Sequence, residues 1–345
     1  MTKSCKICIT DEDNGVKNVS FQYLLWFQPS LWALIIQDTT ATLLLDGRYF
    51  WNTDDIDSAL ISKRLKTDTT LNYVLLKWDI VEAIIQIQWD KNTLYYLEDT
   101  LTYRYIHRFQ NTGVQTEVSA PFFNTNRIVK QNDEIKNIKQ AIKIIAAVYR
   151  SLEEMNKKWE IIGKSEMQIR QHIVAQIFQN GWSAESFPAI VAFWENSAIP
   201  HHNSGETIIS QGVLLIDMWA IYKGYCSDFS RTFWVWEKSG EQYDKFIAIH
   251  TLVQTAHDAA IQGICIGATT SHIDAIARDI ITQAWYGELF IHSTGHGVGL
   301  DVHELPWVSP KSQDIIERSM VFTVEPWIYI PGEFWVRIED IIIVH

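Results

Sequence analysis

Residues Leu214–Trp236 read LLIDMWAIYKGYCSDFSRTFWVW. Apolar residues flank a polar turn at Lys223-Gly224, the pattern of two strands joined in a hairpin. Two carboxylates, Asp217 and Asp228, interrupt the apolar text. Residues 320–345, MVFTVEPWIYIPGEFWVRIEDIIIVH, read the same way: strand, turn at Pro331-Gly332-Glu333, strand, with Glu325 and Glu339 on the apolar segments. Two matched hairpins suggest a duplicated half.

Four buried acids demand compensation. Each ionised carboxylate costs several kcal/mol to desolvate, and like charges raise one another's pKa. A single such acid would read as an edge residue facing water; four in matched positions do not. The nearby cations are Arg231 and Arg337, and two arginines leave four acids undercompensated. A pair of divalent cations would balance them. Nitrogen ligands are available in HSTGHGVGLDVHE (292–304), which holds His292, His296 and His303, and in ENSAIPHHNSG, which holds His201 and His202. The GHGVG run is followed by Asp-Val-His-Glu and not by a helix, which weakens a phosphate-cradle reading. Gly263-Ile-Cys-Ile-Gly267 has the outline of a nucleophile elbow but no preceding strand. His250, His257 and His272 fall in helical text and read as structural or surface residues.

Composition sets the outer bounds. The 345 residues are 47% hydrophobic, enough for a sizeable core and for two domains. A net charge of −12 argues against a nucleic-acid partner. No apolar run approaches the ~20 residues that span a bilayer, and MTKSCKICITDEDNG lacks the apolar core of a signal peptide. Four cysteines make no disulfide framework; the lone Cys5-x-x-Cys8 lacks the second pair of a zinc site and reads as two strand cysteines. A reducing cytoplasm is the expected home, with no membrane association.

Periodicity predicts alternating short strands and helices up to residue 122, including the strand pair in ALIIQDTTATLLLDGRYF, helices in IDSALISKRL and IVEAIIQI, and a strand in TLYYLED. The unpatterned APFFNTNR marks the boundary to a second domain, 123–345. That domain opens on a long amphipathic helix, capped by Asn132 or Asp133, and a second helix opened by Ser165. Helices from Glu241 to about Gly263 and from Ser271 to Ala284 separate the two acidic hairpins.

In chain order, IDMWA, GYCSDFSRTF, HSTGHGVGLDVHE, TVEPW and VRIED resemble the pita-bread metallopeptidases: methionine aminopeptidase, Xaa-Pro aminopeptidase, prolidase and the metal-free creatinase. The resemblance is strong over about residues 130–345; the first ~120 residues, through motifs such as LLLDGRYF, are similar to the creatinase-type N-terminal domain. It implies an α+β pita-bread catalytic domain behind a smaller α/β domain that helps shape the substrate site and a homodimer. It implies a dinuclear centre, best suited to Mn²⁺ with Co²⁺ or Zn²⁺ as substitutes. Asp217 would bind one metal, Asp228 and Glu339 would bridge both, and His296 with Glu325 would complete the second. A metal-bridged hydroxide would attack the scissile carbonyl. Glu325 would also shuttle the proton, His303 would stabilise the oxyanion, and His201 would position the peptide and support protonation of the leaving nitrogen. His292 would line the proline-side pocket, and Arg337 would hold the bridging acids at the substrate site. The histidine set resembles the proline-specific branch, so the expected substrates are peptides with proline second. The alternatives are a prolidase, restricted to dipeptides, and an impaired member acting as a peptide-binding module.

One departure recurs. Relatives have glycine where this chain has Trp219, Trp327, Trp335 and Trp194, and Trp236, Trp285 and Trp32 are further candidates. The chain has 16 glycines and 15 tryptophans, against ~24 glycines expected from average usage. An indole replaces neither the close approach nor the positive φ that glycine provides. The expectation is that a UGA codon read as glycine in the source stands here as tryptophan, visible as glycine-like backbone angles or crowding.

Overall fold

The computed structural model describes residues 3–48, 53, 56–65, 69–77, 79–88, 90, 92–180, 188–199 and 202–345. Two compact units emerge, Met1–Arg127 and Ile128–His345, against the expected division at 122/123.

The first unit is a mixed sheet. Its strands are β1 (Lys3–Asp11), β2 (Leu31–Gln37), β3 (Thr40–Leu45), β4 (Thr70–Leu75), β5 (Thr93–Glu98) and β6 (Gln115–Ser119), in the spatial order β4-β3-β2-β1-β5-β6. The antiparallel β2–β3 pair is the hairpin read from ALIIQDTTATLLL, while β1–β5, β3–β4 and β5–β6 are parallel. Helices α1 (Val19–Leu25), α2 (Ser58–Leu65), α3 (Ile80–Gln88) and α4 (Tyr103–Gln110) intervene. Tyr49 and Phe50 of LLLDGRYF lie outside the described residues. Cys5 and Cys8 are both buried and free in β1. Three residues apart on a strand, they point to opposite faces, and burial lifts the Cys5 thiol to about 12. They pack a sheet.

The second unit is built on two apolar clusters. Helices α5 (Asn132–Lys157) and α6 (Glu166–Gln179) pack Ile144, Val148, Ile169 and Ile173 against Val191 of β7 (Ile190–Phe193) and Leu214, Ile216 and Met218 of β8 (Gly212–Met218). After the small β9 (Ile221–Tyr222)–β10 (Tyr225–Cys226) hairpin and β11 (Phe229–Val235) come α7 (Glu241–Gln262) and α8 (Thr270–Gln283). These contribute Ile249, Val253, Ile273 and Ile281 to a cluster with Phe334, Val336 and Ile338. The remaining strands are β12 (Gly295–Gly297), β13 (Glu304–Val308), β14 (Val321–Val324), β15 (Trp327–Ile330) and β16 (Phe334–Ile343). The sheet runs β13-β12-β14-β16-β11-β8-β7, with β15 also paired to β16. The two acidic hairpins thus meet where β11 pairs with β16. The N-cap of α5 is Gln131, one residue earlier than expected, because Glu134 in the first turn accepts the Gln131 N–H at 2.9 Å. Ser165 caps α6 as read from the sequence, accepting the Gln168 N–H at 3.2 Å.

Backbone angles bear on the tryptophans. Among the described residues eight non-glycine residues have positive φ, and five are tryptophan: Trp26 (66°), Trp159 (61°), Trp194 (54°), Trp236 (82°) and Trp285 (69°). An L-residue there costs about 1–2 kcal/mol. Trp285 is 94% exposed, so burial of its indole offsets little of that cost. Trp32, Trp219, Trp327 and Trp335 are not among the eight; Trp32, Trp327 and Trp335 sit in strands.

The α6 entry is tied to the rest of the unit by one buried acid. Glu166 accepts from Phe193 N (2.7 Å), Asn196 Nδ2 (2.9 Å) and Gly205 N (3.1 Å), with His202 Nε2 at 2.8 Å. Removing a buried, multiply bonded charge strands its partners, so Glu166→Ala should destabilise the chain by about 3–5 kcal/mol. Urea denaturation of the full chain measures this; a loss under about 1 kcal/mol would show that solvent reaches these groups.

Candidate metal centre

Strand alternation places the acids. On β8, Leu214, Ile216 and Met218 face the α5–α6 cluster, so Asp217 between them points to the opposite face. On β16, Phe334, Val336 and Ile338 pack with the helices, while Trp335, Arg337 and Glu339 line a cavity of about 310 Å³. Ser230 of β11 is in register with Asp217 on one side and Glu339 on the other, which brings the two hairpins' acids together. Asp228 precedes β11 by one residue, and Glu325 follows the last residue of β14.

His296 arrives on the short β12. A Cβ on Gly295 or Gly297 would run into the carbonyls of Thr323 or Leu305, so only glycine lets β12 approach β14 and β13 this closely. The His296 Nε2 lies 3.1 Å from Glu325 Oε1 and 3.7 Å from Asp228 Oδ2. Its Nδ1 is 3.1 Å from the Gly297 carbonyl. With Nδ1–H donating there, Nε2 is free to carry a proton toward Glu325 when the ring is charged, or to offer its lone pair to a cation when it is neutral.

Three groups of potential ligand atoms lie within 4.8 Å of one another: Asp217–Asp228–Glu339, His296–Glu325–Glu339, and Asp228–His296–His303. Asp228, His296 and Glu339 each belong to two of these groups, so the three groups form one continuous cluster. Arg231 does not serve the cavity: its guanidinium binds Asp340 at 2.8 and 2.9 Å and the Glu339 carbonyl on the other face. Arg337 alone of the two arginines stands among the acids, donating to Asp217 and to Ser230 Oγ (2.9 Å). The electrostatics follow. Burial, with Glu339, Asp217 and Glu325 nearby, pushes Asp228 well above the usual carboxylate range. Burial and Glu325 push Glu339 up to about 8, and Glu339 Oε1 is buried without a hydrogen-bond partner. Burial disfavours charge on His296, yet its hydrogen bond to Glu325 and the surrounding acids raise its pKa. Burial alone would raise Glu325; the His296 contact holds it low. An oxygen-rich, overcharged pocket with an orphaned carboxylate oxygen fits divalent cations.

His303 and His292 both line the cavity. The His303 ring stands 4.4 Å from that of His296, centroid to centroid, and burial with His296 lowers its pKa. The His292 ring stacks on Trp327 at 4.7 Å. His201 lies outside the described residues, and His202 is engaged with Glu166. Sequence reading missed the roles of Ser230 and of Thr323, which donates to Glu325 at 3.1 Å. His257, read as structural or surface, is buried with its Nε2 3.2 Å from Asp340, the residue after Glu339.

Residues 136–345 match metallopeptidase family M24. A protein of Mycoplasma genitalium with the provisional name Xaa-Pro aminopeptidase is 33% identical over 97% of this chain and 91% of its own. The Xaa-Pro dipeptidase of Pyrococcus furiosus is 33% identical over 78% of this chain and 76% of its own. The solved structure of the prolidase from Pyrococcus furiosus superposes with a TM-score of 0.84 at 28% identity, covering 100% of this chain and 94% of that one.

The raised acids make metal-free stability pH-dependent. Glu339 keeps its proton in the folded state up to about pH 8 but loses it near ~4.3 when unfolded. Stability of the metal-free protein should therefore fall as pH rises between those values. His296, also raised, adds to the fall above ~6.5, whereas the lowered Glu325 acts only at more acidic pH. Thermal midpoints from pH 5 to 8 with chelator, then with Mn²⁺, test this: Mn²⁺ should flatten the fall, and an unchanged slope would contradict cation binding among these groups.

Proposed function

Since this chain belongs to metallopeptidase family M24, we propose that it is an aminopeptidase releasing an N-terminal residue that stands before proline. Asp217, Asp228, His296, Glu325 and Glu339 hold two divalent cations; four carboxylates and one imidazole suit Mn²⁺, with Co²⁺ or Zn²⁺ as substitutes. The convergence of these five donors on one cavity beside His292 and His303 carries the reading. Cations bound there supply Lewis acidity and a nucleophile at neutral pH.

The chain's own groups do the rest. Glu325, held ionised by His296, accepts a proton and passes it on. His303, with its pKa lowered, stays neutral near pH 7 and donates its N–H to the carbonyl oxygen as negative charge develops. His292 offers its ring edge to the residue after the scissile bond, and Arg337 with Ser230 fixes Asp217 and Glu339 in place. His201 supports the leaving nitrogen. The protein works as a cytoplasmic homodimer on peptides. Among the described residues no helix is long and apolar enough to cross a membrane.

A dipeptide-restricted prolidase is the second reading. It is favoured by the similarity to the Xaa-Pro dipeptidase of Pyrococcus furiosus and to the solved prolidase of that organism. Hydrolysis of Ala-Pro against Ala-Pro-Ala, with Mn²⁺ and with chelator, separates the two. Release of alanine from the tripeptide supports the aminopeptidase, dipeptide-only turnover supports the prolidase, and no metal-dependent turnover leaves the binding module. Two variants assign roles. Asp228→Asn should abolish turnover and lower metal stoichiometry by calorimetry. His303→Ala should cut kcat by ~10²–10³ with two cations still bound; loss of a cation instead would make His303 a ligand.

A further inference from the structure

Tryptophan is 15 of the chain's 345 residues, yet it holds five of the eight positive-φ positions that non-glycine residues occupy among the described residues. The other three are Asp38, Lys223 and Ser319. A bulky aromatic residue is the least expected occupant of this region, since its Cβ meets the backbone as any L-residue's does.

The five sites are also the sites at which chains use glycine. Trp26 ends α1 at φ 66°, ψ 3°, its N–H bonded to the Gln22 carbonyl. Trp159 follows the C-cap of α5, and the next N–H, of Glu160, reaches back to the Met155 carbonyl at 2.8 Å. Trp285 follows the C-cap of α8, and the N–H of Tyr286 reaches back to Ile281 at 3.1 Å. A hydrogen bond spanning five residues over a left-handed residue is the helix-ending Schellman arrangement, whose left-handed position is most often glycine. Trp194 and Trp236 make the sharp exits from β7 and β11. Trp159 and Trp285 are 55% and 94% exposed, so core packing does not explain these two indoles, although the Trp159 and Trp236 rings touch each other at 4.8 Å; Trp194 packs against Trp234 and Phe334, and Trp26 lies under Arg64.

The cavity shows the same misfit in another form. Trp327 and Trp335 crowd it with ring centroids 4.2 Å apart, and the Trp335 Nε1 is buried without a hydrogen-bond partner. An indole N–H placed in a core ordinarily finds an acceptor.

We infer that the protein made by its source carries glycine at positions 26, 159, 194, 236 and 285, through a UGA codon read as glycine and rendered here as tryptophan. Positions 327 and 335 follow the same rule, so that the substrate cavity is open where two indoles now stand. The cavity clause rests on the proposed peptidase reading; the backbone clause does not.

Four measurements decide it. The gene should show UGA at all five backbone positions, and mass spectrometry of tryptic peptides from the source should show glycine there. UGG at any of the five, or tryptophan in the peptide, overturns the inference. Replacing the five together by glycine should raise the thermal midpoint of the full chain by about 10 °C or more, and a lowered midpoint overturns the backbone clause. On that background, Trp327→Gly with Trp335→Gly should lower KM for Ala-Pro-Ala by tenfold or more (an order-of-magnitude expectation, about 1.4 kcal/mol). Unchanged KM in an active enzyme removes the cavity clause while leaving the other standing. Inactivity toward every Xaa-Pro peptide, with a raised midpoint, strikes the peptidase reading instead.

Discussion

Four carboxylates share one cavity wall with a single arginine, and the rest of the catalytic unit is arranged around that imbalance. In a low-dielectric site the repulsion among Asp217, Asp228, Glu325 and Glu339 is not screened by water. Burial, with this repulsion added to it, pushes Asp228 and Glu339 upward, so that without cations they tend to hold protons. Arg337 and Ser230 lock two of the acids in fixed positions. On the proposed reading, divalent charge placed among these acids offsets the repulsion, so metal affinity and the pH dependence of the metal-free protein have one origin.

The scaffold keeps that charge in place by separating two faces of one sheet. Helices α5 to α8 cover one face with aliphatic side chains, and the intervening residues of β8, β11 and β16 present the polar groups to the other. A slip of one residue in any of these strands would exchange the two sets, burying acids under the helices. The packing of Leu214, Ile216 and Met218 is therefore what aims Asp217, and Asp340 with His257 and Arg231 pins β16 in the register that aims Glu339.

Much of the catalytic unit was legible in the sequence because period-two alternation and turn residues are local. The hairpin at Lys223-Gly224, the acids on or beside apolar strands and the Ser165 cap could be read without any partner in view. Arg231 could not: it lies three residues from Asp228 as Arg337 lies two from Glu339, and only the pairing of β11 with β16 sends it to Asp340. Nor could Ser230, an unremarked serine until two acids from different hairpins fall on either side of it. The tryptophans divide the same way. Composition and motif made them suspect as a group, but backbone angles single out Trp26 and Trp159, which no motif marked.

What the sequence alone determined is the metallopeptidase family and the kinds of group in the site, since ligand chemistry is written in residue type and order. What only the tertiary structure decided is which cation stays with which acid, how large the cavity is, and which residues sit in left-handed backbone. Those depend on strand register and chain direction across residues more than 100 positions apart, as between Ser230 and Glu339, and no local pattern carries that information.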